Sequence, residues 1–389
     1  MRLPDGKSFN VGNRSWQAVL AEQAGALGTG TPAAHQLSEI SDFGSNPGGL
    51  RMWAYVPPGL PAGSPLVVVL HGCGQNASAY TNGAGWSDLA DRYGFGVLAP
   101  EQTSQNNPNG CFNWFQPEDT ARGRGEAASI KQMIDTMLAI HGFDDRRVFV
   151  TGLSAGGAMA SVMLATYPEI FAGGAIIAGV PYGAASNLSE ALRAMHTPPA
   201  WSAREWGDTI RRASLHDGLW PKVSIWHGDA DYTVSPSNAE ASIDQWADVL
   251  GVSRGPAREE SAAGYQHRIW LDTHGIPVLE AYLLKGFGHG TPILTGSSPD
   301  ACGTPGPFFL PAGISSSARI AEFFDLRAPA LSRNAVATAG SPPAVSGGIL
   351  RWFRPPAPAC EPATPPEASR GIHLGRTISE ALRAAGLLK

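Results

Sequence analysis

Apolar positions recur along the chain in two textures, short unbroken runs and helical stripes, and their alternation predicts the architecture. Leu66–Leu70 (LVVVL) is apolar at every position, the pattern of a strand covered on both faces of a parallel sheet. Phe95–Ala99, Arg147–Thr151, Gly174–Ala178, Val223–Trp226, Gln266–Leu271 and Leu279–Leu284 read as further strands. Leu50–Val56 alternates in character and stops at Pro57-Pro58, as an outer strand would. Helical stripes lie between them. Gly125–His141 has apolar residues at Ala128, Ile130, Ile134, Met137, Leu138 and Ile140 and closes at Gly142. Trp86–Tyr93, Ala155–Tyr167, most of 188–213, Asn238–Leu250 and Ile314–Leu326 read likewise. Strands alternating with helices make βαβ units with right-handed crossovers. The expected class is α/β, a doubly wound and mainly parallel sheet with helices on both faces.

Outside that pattern the texture changes. Residues 1–34 form a weakly patterned extension, with a short helix expected at Trp16–Ala26. Residues 35–327 hold the folded domain, and 328–370 are dominated by Pro, Ala and Ser, a composition that cannot build a core and reads as a linker or strap. Residues 371–389 contain one short helix, Arg376–Leu387. Of 389 residues 43% are hydrophobic, enough for a sizeable core, and only 16% are charged. The net charge is −5 and basic residues cluster only as isolated pairs, so no nucleic-acid partner is expected. No apolar run approaches the ~20 residues of a membrane span, and the N-terminus lacks the apolar core of a signal peptide. The four cysteines show no C-x-x-C spacing, so no zinc site is expected. Their even number in a low-charge chain points to disulfides and an oxidising compartment, extracellular or periplasmic, with the cytoplasm as the alternative.

In an open parallel sheet, ligands meet the loops at the carboxyl ends of strands. The strand Arg147–Thr151 runs into Gly152-Leu153-Ser154-Ala155-Gly156, a G-x-S-x-G, and then directly into a helix. Such a turn strains the serine backbone, and its glycines remove Cβ atoms that would clash. The hydroxyl is left exposed at a helix N-terminus, whose free N–H groups favour an oxyanion. Ser154 is therefore the candidate nucleophile. It needs a histidine to take and return its proton and a carboxylate to fix that imidazole's tautomer. The chain order Ser, Asp, His expected after such an elbow points to His289, in the glycine-rich loop Gly286–Gly290. Asp229 and Asp231 both follow VSIWHG; Asp231, further out and able to curl back toward His289, is preferred, and Asp229 is given a structural part. His71 and His227, each in a strand-end His-Gly pair, are expected to brace loops.

An oxyanion hole needs two donors, and the Ala155 and Cys73 backbone N–H groups are the candidates. Glu101–Asp119 is a long polar loop with Phe112-Asn113-Trp114-Phe115 at its far end, a length more often functional than idle. Cys111 on that loop is expected to bond Cys73, 38 residues away, clamping the two loops together. The chain-entropy contribution of such a bond is roughly 4 kcal/mol. By elimination Cys302 would pair with Cys360 and tie the strap to the domain.

From about Gly49 to Leu326 the chain carries LHGCGQNASAY, GAGWSDLADRYGFGVLAPEQ, NNPNGCFNWFQPEDTARGRGEA, VTGLSAGGAMA, GVPYGAA, IWHGDADYTV and GFGHGTPI. Through these stretches it resembles the polyhydroxybutyrate depolymerase family of esterases, within the α/β-hydrolase superfamily. The resemblance implies a Ser/Asp/His triad at Ser154, Asp231 and His289, a cysteine-bearing oxyanion loop at Cys73, and neither metal nor cofactor. Trp226 and Trp114 are candidates for an apolar wall of the acyl subsite. The implied activity is hydrolysis of short-chain poly(3-hydroxyalkanoate) polyester or its oligomers through an acyl-enzyme. Secreted depolymerases of this kind carry a polymer-binding domain behind a linker, whereas here only about twenty residues follow the Pro-rich stretch. That departure leaves room for a soluble-ester or oligomer hydrolase. The alternatives are a feruloyl or acetylxylan carboxylesterase, a synthetic-polymer hydrolase, an acyltransferase, and a non-catalytic binding module, the last disfavoured by the intact Ser154, Asp231 and His289.

Overall fold

The computed structural model describes residues 35–253 and 255–327. The helices expected at Trp16–Ala26 and Arg376–Leu387, the strap of 328–370 and Cys360 within it lie outside the described residues. Strand β1 (Ser38–Ile40) is followed by β2 (Arg51–Tyr55), β3 (Leu66–Leu70), β4 (Gly96–Glu101), β5 (Val148–Leu153), β6 (Phe171–Ile177) and β7 (Lys222–Gly228). Then come β8 (Arg258–Ala262), β9 (Tyr265–Leu271) and β10 (Pro277–Leu284). These form one ten-stranded sheet in the order β1-β2-β4-β3-β5-β6-β7-β10-β9-β8. The centre from β4 to β10 is parallel. The flanks, β1-β2 and β9-β8, are antiparallel.

Composition explains this division. Strands β3, β4 and β5 are buried at every position, which is possible only with helices on both faces. Strand β8 (REESA) is exposed at every position; charge along an outer strand keeps it from pairing with another chain. Having no apolar run, β8 is invisible to a hydrophobic pattern. The strand near Leu50–Val56 is not the outermost on its side, because β1 lies beyond it.

The helices are α1 (Ala77–Gly83), α2 (Trp86–Tyr93), α3 (Pro117–Thr120), α4 (Gly125–His141), α5 (Ala155–Thr166), α6 (Leu188–His196), α7 (Ala203–Ser214), α8 (Ser237–Leu250) and α9 (Ser316–Phe323). Helix α4 has the expected limits and ends where Gly142 turns left-handed and donates to the Leu138 carbonyl. Helix α1 was not expected: it buries only Ala77, Tyr80 and Thr81, and its start is set by the Asn76 cap on the Ala79 N–H. The helical stretch of 188–213 is two helices. Pro198 and Pro199 stop the first, and a Ser202/Glu205 capping box starts the second. The last helix is shorter than Ile314–Leu326, beginning after Ser315, which caps the Ala318 N–H.

The core lies in two layers, one on each face of the sheet. Val68 points into a cluster with Leu98, Met133, Met163 and Trp246. Its neighbours Val67 and Val69 point into another with Trp86, Phe149 and Ile320. Helix α5 is buried along its whole length, the property of a helix that is hydrophobic all round. The carboxyl ends of β3, β5 and β7 are thereby held by packing on both sides. Beyond β10, a small parallel pair, β11 (Thr291–Ile293) and β12 (Phe309–Pro311), brackets a loop over residues 294–308. No helix among the described residues is long and apolar enough to cross a membrane.

Candidate active site

The turn from β5 into α5 forces the geometry of Ser154. Its backbone sits at φ 57°, ψ −117°, a conformation that is strained for any residue but glycine. Two features hold it there. The Ser154 N–H donates to the Ile177 carbonyl at 2.8 Å, and the Ser154 carbonyl accepts from Ala158 at 2.8 Å in the first helical turn. Both flanking glycines are required by close approach. A Cβ on Gly152 would lie 2.4 Å from the Gly156 carbonyl, and one on Gly156 would lie 2.2 Å from the Leu70 carbonyl. The G-x-S-x-G is thus the spacing that lets β5, α5 and the end of β3 meet. The Ala155 N–H belongs to the first turn of α5, where backbone donors have no intrahelical acceptor.

Two loops bring the acid–base pair to the same rim. His289 follows β10, and its Nδ1 lies 2.7 Å from Asp231 Oδ2 on the loop after β7. A carboxylate oxygen only accepts, so Nδ1 carries the proton and Nε2 is left with a lone pair. The Asp231 side chain is fully buried and that of His289 is 10% exposed. Asp231 Oδ1 accepts from the Thr233 and Val234 N–H groups, each at 2.9 Å. Burial pushes the Asp231 carboxyl up, but the facing His227 and His289 imidazoles and the Val234 N–H outweigh it, holding the group well below the ordinary carboxylate range.

The neighbouring groups have bracing geometry. His227 Nε2 donates to the Val234 carbonyl at 2.9 Å and stands 3.4 Å from Asp231 Oδ2. Asp229 Oδ1 accepts from the Gly286 N–H at 2.6 Å, pinning the loop after β7 to the loop after β10. His71 Nδ1 donates to the Gly72 carbonyl at 2.8 Å while its Nε2 accepts from the Gln102 N–H at 3.1 Å. Burial lowers the His71 pKa, favouring the neutral ring that this pairing needs.

Ser154 and His289 line one cavity of about 420 Å³, together with Cys73, Leu153, Met195 and Phe308. Its wall on the β3 side is covalently closed: Cys73 is bonded to Cys111. The same wall is anchored underneath by a residue that sequence reasoning passed over. Glu126, at the start of α4, is fully buried. Its Oε1 accepts from Gln102 Nε2 at 2.5 Å and Asn106 Nδ2 at 3.0 Å, and its Oε2 from the Asn113 N–H at 2.8 Å. Burial, reinforced by the nearby Asp119 carboxyl, pushes the Glu126 pKa up to about 8 against these donors. The clue was available, since a lone Glu sits inside an apolar stripe at the foot of the long loop.

Two expectations need correcting. Trp226 does not line the cavity: it lies in the body of β7, fully buried, stacked 3.8 Å from Tyr282, with its Nε1 donating to Ser224 Oγ at 2.8 Å. Trp114 is half-buried, packs edge-on against Phe115 and against the cluster of Ala158, Val180 and Val234, and is not among the residues that line the cavity. The apolar lining instead comes from Leu153, Met195 and Phe308, residues without a shared sequence pattern. Among the described residues Cys302 is a buried thiol without a disulfide partner, its Sγ 3.0 Å from Ser315 Oγ beneath α9, and its expected partner Cys360 lies outside them. Among the described residues, no group of three or more His, Cys, Asp or Glu side chains is gathered to hold a metal ion.

Comparison with known proteins shows the family. Residues 50–262 match the family model described as Esterase PHB depolymerase. Poly(3-hydroxyalkanoate) depolymerase C of Paucimonas lemoignei is 44% identical over 301 residues, which cover 77% of this chain and 72% of that protein. Feruloyl esterase B of Neurospora crassa is 35% identical over 281 residues, covering 69% and 92%. Among solved structures, the acetyl xylan esterase from Aspergillus awamori superposes with a TM-score of 0.61 at 26% identity, covering 75% of this chain and all of that one.

Proposed function

The chain belongs to the PHB depolymerase family of esterases and is an ester hydrolase of the α/β-hydrolase fold, and from that premise we propose that it cleaves short-chain poly(3-hydroxyalkanoate) polyester or its oligomers through a Ser154 acyl-enzyme. Ser154 Oγ attacks the ester carbonyl while His289 Nε2 takes its proton. The Ala155 and Cys73 N–H groups receive the negative charge that develops on the carbonyl oxygen. His289 then returns the proton to the departing alkoxide, and water, activated by the same imidazole, releases the acid. Asp231 holds the imidazole tautomer and stabilises the imidazolium. The site needs no cofactor for these steps. The Cys73–Cys111 bond fits a protein that works in an oxidising compartment, outside the cytoplasm.

The observation that carries the reading is the hydrogen-bonded Asp231–His289 pair and Ser154 on the rim of one cavity. The substrate class is supported by the 44% identity to a poly(3-hydroxyalkanoate) depolymerase. A second reading, a feruloyl or acetylxylan-type carboxylesterase, has specific support of its own: the feruloyl and acetyl xylan esterases match at 35% and 26% identity over most of their lengths. Turnover of poly(3-hydroxybutyrate) film and of a soluble hydroxybutyrate trimer, beside methyl ferulate and acetylated xylan, separates the two. The first reading expects film or trimer to be hydrolysed with at least a tenfold higher kcat/KM, about 1.4 kcal/mol of discrimination. Preference for ferulate or acetylxylan overturns it.

A further inference from the structure

Phe308 occupies a position that a bulky residue ordinarily avoids. Gly306, Pro307, Phe308 and Phe309 form a tight turn, with Gly306 N–H donating to the Phe309 carbonyl at 3.1 Å and Phe309 N–H to the Gly306 carbonyl at 3.0 Å. Proline stands second, as such turns prefer, but the third residue has φ 65° and is phenylalanine where glycine is the ordinary choice. The Phe308 carbonyl accepts from the Thr291 N–H at 2.7 Å, so the strained residue is clasped to the strand that begins two residues after His289. Its ring stands edge-on to the His289 imidazole, with centroids 6.3 Å apart at 83°. It lines the cavity yet remains 43% exposed. A Phe held in the left-handed region, half-solvated beside the candidate base, contributes little to the core that would offset its strain. Its neighbour Phe309 is the buried member of the pair, stacked against Tyr80.

The side of the cavity it covers is set by the chemistry. The imidazole delivers a proton to the leaving oxygen, so the alcohol half of the ester must lie against the histidine side and the acyl half away from it. We propose that Phe308 is a specificity-determining residue for the alcohol half of the ester, an apolar wall against which the leaving group packs beside His289. The inference rests on the catalytic reading above. It also extends it, because successive units of a polyester present an alkyl-bearing alcohol of the kind this wall would select over methanol.

Two ester series test it on the full chain, comparing wild type with Phe308→Gly and Phe308→Leu. One holds the butyryl group and varies the alcohol from methyl to butyl to benzyl. The other holds methanol and varies the acid from acetate to hexanoate. Phe308→Gly is expected to reduce the benzyl-to-methyl ratio of kcat/KM about tenfold, in line with loss of one large apolar contact, while the acyl series keeps its wild-type profile. Phe308→Leu is expected to recover much of that ratio. Thermal unfolding of Phe308→Gly is expected about 2 °C or more above wild type, since glycine takes this backbone conformation without strain. An unmoved alcohol ratio in active Phe308→Gly overturns the proposal, as does a shift in the acyl series instead. Equal losses in both series with a lowered melting temperature would mark Phe308 as a turn residue only. Should Phe308→Gly not fold, Phe308→Asn, which also tolerates the left-handed backbone, decides by the same roughly tenfold loss of the benzyl-to-methyl ratio. Failure here with Ser154 still essential leaves the catalytic reading standing, whereas turnover by Ser154→Ala removes that reading itself.

Discussion

The two walls of the cavity are fixed by different means. On the β3 side, the loop carrying Cys73 is bonded covalently to Cys111, and the loop carrying Cys111 hangs on the buried Glu126 carboxyl. On the β10 side, the loop carrying His289 is positioned by hydrogen bonds, through Asp231 to the imidazole and through Asp229 to the Gly286 N–H. The difference follows the work proposed for each wall. Donors that receive developing charge are most effective when they are fixed before the reaction begins. A general base instead needs one tautomer and one direction, which a buried carboxylate supplies.

The sharpest way to break this comparison is on the hydrogen-bonded wall. Asp231→Asn is expected to lower kcat for p-nitrophenyl butyrate by about 10³–10⁴-fold, because the imidazole loses the partner that fixes its tautomer. Asp229→Asn, at a carboxyl that accepts from the Gly286 N–H, is expected to lower it by less than about tenfold. The opposite ranking reassigns the carboxylate. On the covalent wall, Cys111→Ala is expected to reduce kcat by about 10–100-fold, less than the full loss of an oxyanion donor, since the Gly74 N–H still donates to the Asn109 carbonyl at 3.0 Å across the same two loops. Urea unfolding of the same variant is expected to show a loss of roughly 2–4 kcal/mol. Unchanged kcat would mean that the bond stabilises the fold without positioning Cys73.

Glu126→Gln sharpens the contrast with a smaller effect, read as a slope against pH. The carboxyl titrates near 8 in the folded protein against an ordinary value of 4.5. Between those values the unfolded chain has released the proton and the folded chain keeps it, so unfolding releases a proton and stability falls as pH rises. The slope from this one group is at most about 1.4 kcal/mol per pH unit. Stability is expected to decline with pH through that window in wild type and to decline less in Glu126→Gln, measured by urea unfolding at a series of pH values. Parallel curves would show that Glu126 is ionised at neutral pH in the fold.

How much of this was legible follows from where each residue's cause lies. The elbow at Ser154 was legible because its geometry is enforced locally, by glycines at Gly152 and Gly156 that face backbone carbonyls. The parallel centre was legible because burial on both faces demands unbroken apolar runs such as LVVVL. The loop positions of Asp231 and His289 could be reasoned from strand ends and chain order. The lining was not legible: Met195 lies on α6 and Phe308 far along the chain beyond β11, and tertiary packing alone makes them neighbours. Trp226 misled for the same reason, because an aromatic at a strand end can point into the core as readily as into a site. Strand β8, whose REESA sequence is wholly exposed, was missed because its pairing is set by the adjoining strand and not by burial.

The central claim is that Ser154 is a nucleophile activated by the His289–Asp231 pair. Labelling the full-length protein with diisopropyl fluorophosphate, followed by peptide mapping, tests it most directly. The account predicts one adduct, on Ser154, formed in step with loss of esterase activity and absent from Ser154→Ala, which has no turnover above the level an oxyanion hole alone supports. An adduct on another residue, with Ser154→Ala retaining near-normal turnover, would contradict it.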